Sequence, residues 1–185
     1  TATRAIDQNA GILRELAEKI WNCPETAFNE VNACRWTADV LQNAGFDVEV
    51  GYVGMPTAIR ATWGSGRPRI GFLGEYDALP GLSQKVSTEK EPVTPGAPGQ
   101  GCGHNLLGAA CVGAALRMKA ELEAAGREGT VVFYGCPAEE VLTGKAFMAR
   151  EGAFADLDAA FSWHGSSKNM VTTGTMTGLN SAVFH

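Results

Sequence analysis

Thr130-Val131-Val132-Phe133-Tyr134-Gly135-Cys136-Pro137-Ala138-Glu139-Glu140 decides the fold. Its first five residues carry no charge and are rich in β-branched and aromatic side chains, which reads as a strand buried on both faces. Ahead of it, residues 105–125 form a helix rich in Ala and Leu, apolar on most faces in its first half and so expected to be buried. Strand and helix patterns keep alternating outward from this pair. Ile12, Leu13, Leu16, Ala17 and Ile20 recur at helical spacing until Pro24, and Val31, Ala38, Val40 and Leu41 lead to a stop at Gly45. Residues 46–50 alternate as a strand does. Residues 57–63 and 69–73 are two more short β-type runs, and Gly64-Ser65-Gly66-Arg67-Pro68 between them suits a hairpin or two neighbouring strands. Residues 141–151 read as a further helix and 159–163 as a further strand. Such interleaving predicts an α/β domain around a central, largely parallel sheet.

A chain of 185 residues is long enough for one well-cored domain. Its 45% hydrophobic and 19% charged residues are ordinary for a globular protein. A net charge of −5 and a pI near 5.2 argue against non-specific nucleic-acid binding, which wants a basic footprint. No apolar run approaches the roughly 18 residues of a membrane helix, so no membrane partner is expected. The N-terminus lacks a basic region followed by an apolar one. Five cysteines, an odd number scattered through helical and apolar runs, suggest reduced thiols in a cytoplasmic protein rather than a disulfide framework.

Ligands in open α/β sheets gather beyond the carboxyl ends of strands. Three suspect segments lie there: Glu75-Tyr76-Asp77, Glu139-Glu140 and Trp163-His164. A long stretch at 80–101, rich in Pro, Gly, Ser, Thr and Lys, leads into Gly101-Cys102-Gly103-His104-Asn105 and is expected to be functional. Thiolate and imidazole two residues apart, flanked by glycines, suit a zinc- or manganese-class ion, and the dipole of the helix that follows would favour the thiolate. Taken alone, the pair reads first as a buried free cysteine beside a loop histidine. Adjacent carboxylates at Glu139-Glu140 could divide metal binding from proton transfer, or simply favour the positive end of a helix opened by Pro137. His164 could be a structural histidine, and Asp77 either a turn former before Pro80 or a carboxylate that orients a ligand imidazole. Glu75 is less clear. Four donors of metal-binding type at three strand ends favour a metal site.

Gly74 to Ser83, Gly101 to Gly108, Gly135 to Glu140 and Trp163-His164 together resemble the metal-dependent amidohydrolase and aminoacylase branch of the carboxypeptidase-like metallopeptidases, in the same order and over nearly the whole chain. The resemblance implies a three-layer α/β/α sandwich with a central mixed, largely parallel sheet, a zinc-exopeptidase-like catalytic domain. It implies two divalent ions, Mn2+ or Zn2+, with Cys102 as a bridging thiolate and His104, Glu140 and His164 as further ligands. Glu139 would be the general base and Asp77 would support the ligand shell. The implied reaction is hydrolysis of the amide of an N-acyl amino acid, an aminobenzoyl-glutamate-type conjugate or a dipeptide, in a homodimer or a heterodimer with a paralogous subunit. Val141-Leu142 depart from the small, glycine-rich residues that follow the paired glutamates in such proteins, which bears on the wall of the site.

Family members run to about twice this length. Residues 1–175 are therefore expected to be the N-terminal portion of the catalytic domain, and 176–185 the start of a strand leading to a lid or dimerisation domain. A last ligand histidine and a lid histidine would lie beyond residue 185. Two rivals belong to other classes: a thiol hydrolase with Cys102 as nucleophile and His164 as base, and a non-catalytic fragment that binds metal or a partner.

Overall fold

The computed structural model describes residues 2–168, 170 and 171. Nine regular elements follow one another among them: α1 (Ala2–Asn22), α2 (Val31–Asn43), β1 (Asp47–Val50), β2 (Ile59–Ser65), β3 (Arg69–Glu75), α3 (His104–Ala125), β4 (Gly129–Cys136), α4 (Gly144–Arg150) and β5 (Ala159–Phe161). Short 3-10 turns at Tyr52–Gly54 and Glu139–Val141 punctuate them. The expected strand at 176–185 lies outside the described residues.

The strands form one mixed sheet in the order β1-β2-β4-β3-β5. β4 pairs parallel with β3 and antiparallel with β2, β3 pairs parallel with β5, and β1 pairs antiparallel with β2. Four strands thus point one way and β2 alone runs against them. β2 and β3 are not neighbours, contrary to the expectation drawn from the short 64–68 connection: β4 inserts between them. Burial explains the order. All eight residues of β4 are buried, whereas β2 and β3 each keep partly exposed positions. The most apolar strand takes the centre, where both faces and both edges are covered.

Alternation along β4 divides the core in two. Val131 and Phe133 pack with Leu16 and Ile20 of α1, Ala38 and Leu41 of α2, and Leu107, Val112 and Ala115 of α3. Val132, Tyr134 and Cys136 face the opposite side, against Met55, Met148 of α4 and Ala153. This is the expected three-layer sandwich, with one thick helical layer and one thin one. Each fully buried Leu, Val or Phe contributes about 1.5–3 kcal/mol. α3 lies between α1 and the sheet, which is why its first half is apolar nearly all round.

Two local features bring distant segments together. Gly108 lets α3 touch the end of β3, because a Cβ there would run into the Glu75 carbonyl oxygen. The 80–101 stretch closes at its base, where Leu79 and Gly99 exchange backbone hydrogen bonds of 3.0 Å. Gln100 then donates to the Tyr76 carbonyl at 3.2 Å and accepts from the Asn105 amide at 3.1 Å, tying the loop's end to β3 and to the first turn of α3.

The helix expected at 141–151 is shorter than its pattern. Ala138 and Leu142 both have φ of 55° in the left-handed region, so a 3-10 turn lies between them and α4 starts only at Gly144. Tertiary contacts at this turn override helix propensity. The last strand also stops early, at Phe161: Ser162 leaves the ladder and donates its hydroxyl to the Leu73 carbonyl at 3.0 Å.

Candidate metal centre

His104 opens α3, directly after Gly103, whose left-handed backbone (φ 84°) turns the loop into the helix. Its ring is completely buried. Nδ1 lies 3.0 Å from both the backbone oxygen and Oδ1 of Asp77. Two acceptors facing one nitrogen favour a proton there, which makes Nε2 the nitrogen available to a cation. Burial acts to lower the His104 pKa, but the Asp77 hydrogen bond and the charges of Glu75, Asp77 and Glu140 outweigh it and hold the imidazole above its ordinary value. Asp77 also reaches a second partner, since its Oδ2 accepts the backbone amide of Glu140 at 2.8 Å.

On the Nε2 side, Glu75 Oε2 stands at 3.0 Å and Glu139 Oε2 at 3.7 Å. Nε2 is nonetheless a buried nitrogen without a hydrogen bond, and Glu140 Oε1 is a buried oxygen in the same condition. Leaving such atoms unsatisfied costs about 1–3 kcal/mol each. Two groups of donor atoms meet here, each within 4.8 Å of one another: Cys102, His104 and His164, and Glu75, His104 and Glu139. Sulfur, nitrogen and oxygen donors converging on an orphaned imidazole nitrogen are what a borderline divalent ion satisfies. The residues present fit such an ion.

Of the expected site residues, the fold brings together all six. Cys102, His104 and His164 form one group, with Cys102 Sγ 3.2 Å from His164 Nε2. Glu139 belongs to the other. Glu140 belongs to neither, and its Oε1 lies 3.8 Å from His104 Nδ1. Asp77 sits on the Nδ1 side of His104, away from the other donors.

Burial pushes the Cys102 thiol up to about 11, and the nearby Glu140, Glu139 and Glu75 carboxylates push in the same direction. A cation at the sulfur acts the other way and favours the thiolate. All five cysteines are free.

Two residues join the site beyond the expected six. Glu75 was ambiguous on its own, and Lys145 in α4 carried no signal. Their side chains form an ion pair, which fixes one oxygen of Glu75 and turns the other toward His104. Burial acts to lower the Lys145 pKa, but the charge and hydrogen bond of Glu75, joined by the smaller effects of Cys136 and Glu139, together outweigh it and keep the ammonium above its usual value.

A mixed α/β sheet with these donors gathered at its strand ends defines a candidate metal centre of the kind a metallopeptidase fold carries. The chain is similar to hydrolases and dipeptidases of the M20 metallopeptidase family. It is 45% identical over 180 residues to a p-aminobenzoyl-glutamate hydrolase subunit of Escherichia coli K12, covering 96% of this chain and 37% of that protein. It is 36% identical to the mouse Xaa-Arg dipeptidase, over 91% of this chain and 38% of that one. No family model matches the sequence. Among solved structures, a dinuclear metal-binding peptidase of the M20 family from Bacillus subtilis shares the fold, with a TM-score of 0.69, 22% identity, and coverage of 85% of this chain and 44% of that one. The chain thus spans a little over a third of the length of the curated relatives it matches.

Proposed function

We propose that this chain is the N-terminal part, over residues 1–175, of a catalytic domain that hydrolyses the amide of an N-acyl amino acid. An aminobenzoyl-glutamate-type conjugate or a related dipeptide is the substrate class, in keeping with the activities for which the relatives at 45% and 36% identity are named. One observation carries the proposal: a buried imidazole nitrogen without a hydrogen bond, ringed by a thiol, a second imidazole and carboxylates.

Cys102, His104, Glu140 and His164 would hold two divalent ions, manganese or zinc, which when bound polarise an amide carbonyl and acidify water. Asp77 keeps the His104 proton on Nδ1, so Nε2 stays free to ligate. Glu139 is the part-exposed member of the pair facing Nε2, able to meet both solvent and substrate. It takes a proton from the attacking water and returns it to the leaving amine. Lys145 is held by Glu75, so the carboxylates of a glutamyl substrate would find their cation elsewhere. A paralogous partner belongs to the same proposal, in keeping with the E. coli relative being named as one subunit of its enzyme. So does a cytoplasmic setting, which would keep the five free thiols reduced.

Glu139→Gln tests the mechanism. It should abolish turnover of N-acyl-glutamates and dipeptides while leaving metal content nearly unchanged, and retained activity would overturn the role. One contact favours a second reading: the 3.2 Å approach of Cys102 Sγ to His164 Nε2 is that of a nucleophile and its base. A thiol pushed up to about 11 works against it. EDTA separates the two. A thiol hydrolase keeps its activity in the chelator, whereas a metal hydrolase loses it until Mn2+ or Zn2+ is restored.

A further inference from the structure

Glu30 is a charged residue sealed completely in the interior, at the amino end of α2, and the mechanism above does not use it. Its carboxylate has three partners from three separate parts of the chain. Oε1 accepts the Phe28 amide at 2.9 Å and the Ala138 amide at 2.8 Å, and Oε2 accepts the Thr57 hydroxyl at 2.9 Å. Thr57 is buried as well, and its carbonyl receives the hydroxyl of buried Tyr76, which lies between Glu75 and Asp77. Burying a carboxyl group costs free energy that its hydrogen bonds must offset in large part.

The Ala138 bond is the informative one. It joins residues 108 apart in sequence and lands one residue before Glu139. On the far side of Glu139, the Glu140 amide is held by Asp77 Oδ2. The backbone that carries Glu139 is therefore gripped at both ends by buried carboxylates from other elements. The grip also explains how Ala138 is kept in the left-handed region, a conformation that costs an L-residue roughly 1–2 kcal/mol.

We propose that Glu30 is a positioning residue: by capturing the Ala138 amide it fixes the turn that aims the Glu139 carboxylate at the substrate water. The proposal rests on Glu139 being the base. It requires acceptors at the right reach, and it does not require a charge. Glu30→Gln keeps Oε1 for both amides, while its amide nitrogen donates to Thr57, whose hydroxyl then accepts. Glu30→Asp keeps the charge but withdraws the oxygens by one methylene, so the Ala138 amide is lost.

The test uses the metal-loaded protein and these two variants, with unfolding midpoints and metal content measured for each. Displacing a catalytic group by about 1 Å costs on the order of 100-fold. Accordingly, Glu30→Asp should lose about 10- to 100-fold in kcat with KM and metal content little changed, and Glu30→Gln should keep kcat within a few-fold. A merely structural role predicts a different split, with both variants losing stability and the folded fraction keeping full kcat. Residue-resolved amide exchange gives a readout independent of turnover: the Ala138 amide should exchange much faster in Glu30→Asp and stay protected in Glu30→Gln. If the parent hydrolyses nothing, the functional reading fails, and the exchange arm still decides whether Glu30 holds the turn. Unchanged Ala138 exchange in Glu30→Asp, or unchanged kcat, overturns the proposal.

Discussion

Asp77→Asn removes one oxygen's worth of acceptor from a side chain that has no acceptor to spare. The carboxylate serves His104 Nδ1 at 3.0 Å through Oδ1 and the Glu140 amide at 2.8 Å through Oδ2, and it is fully buried. An asparagine in its place has one acceptor and one donor. With the oxygen toward His104, the NH2 faces the Glu140 N–H. With the oxygen toward Glu140, the NH2 faces the protonated Nδ1. Either way a donor meets a donor, and one charge-assisted hydrogen bond worth about 1.5–3 kcal/mol is lost. The backbone oxygen of Asp77 still holds the imidazole proton, so His104 stays in place but less firmly oriented. Outer-shell changes of this kind typically cost about 10- to 100-fold in metal affinity, or about 1.4–2.7 kcal/mol. Competition against a chromogenic chelator measures that loss, with the unfolding midpoint as a control for folding. Equal metal affinity in the parent and in a folded Asp77→Asn would refute the orienting role.

Further expectations follow from burial and contact. Gly108→Ala should destabilise by about 1–3 kcal/mol, because its Cβ meets the Glu75 carbonyl oxygen and must push α3 off β3; an unchanged urea midpoint would contradict that close approach. Phe133→Ala, in the fully buried face toward α3, should cost about 3–5 kcal/mol in equilibrium unfolding. Cys102→Ser should weaken metal binding as well as turnover, whereas turnover lost at full metal content would favour the thiol reading. Glu30 gives a pH signature. Burial raises its pKa above the ordinary 4.5, so its stabilising contribution is full below that pH and falls as pH rises through the raised folded value. The stability of Glu30→Gln relative to the parent should therefore improve from about pH 4 upward in urea titrations, and a flat difference would count against it.

Much of this protein was legible from short-range pattern. Helical spacing at Leu13, Leu16, Ala17 and Ile20 and the uncharged run of β4 located elements to within a few residues, because burial of one face leaves a local period. The donors Cys102, His104, Glu139, Glu140 and His164 stood out because strand ends and glycine-flanked Cys-x-His pairs are local signals too. What failed was whatever depended on a distant partner. The short connection at 64–68 suggested adjacency, yet β4, more than sixty residues later, took the place between β2 and β3 because it alone is buried throughout.

Sequence alone determined the α/β class, the alternating core faces and the set of metal-type donors, since each rests on residue type and neighbours within a turn or two of chain. Only the tertiary structure decided the two Asp77 acceptors at His104 Nδ1, the carboxylates gathered around the Cys102 thiol, the Glu75–Lys145 pair and the grip of Glu30 on Ala138. Those depend on which charges and acceptors stand within a few ångströms across separations of 27 to 108 residues. Electrostatics and hydrogen bonding act over distance in space, and a linear pattern carries no record of it.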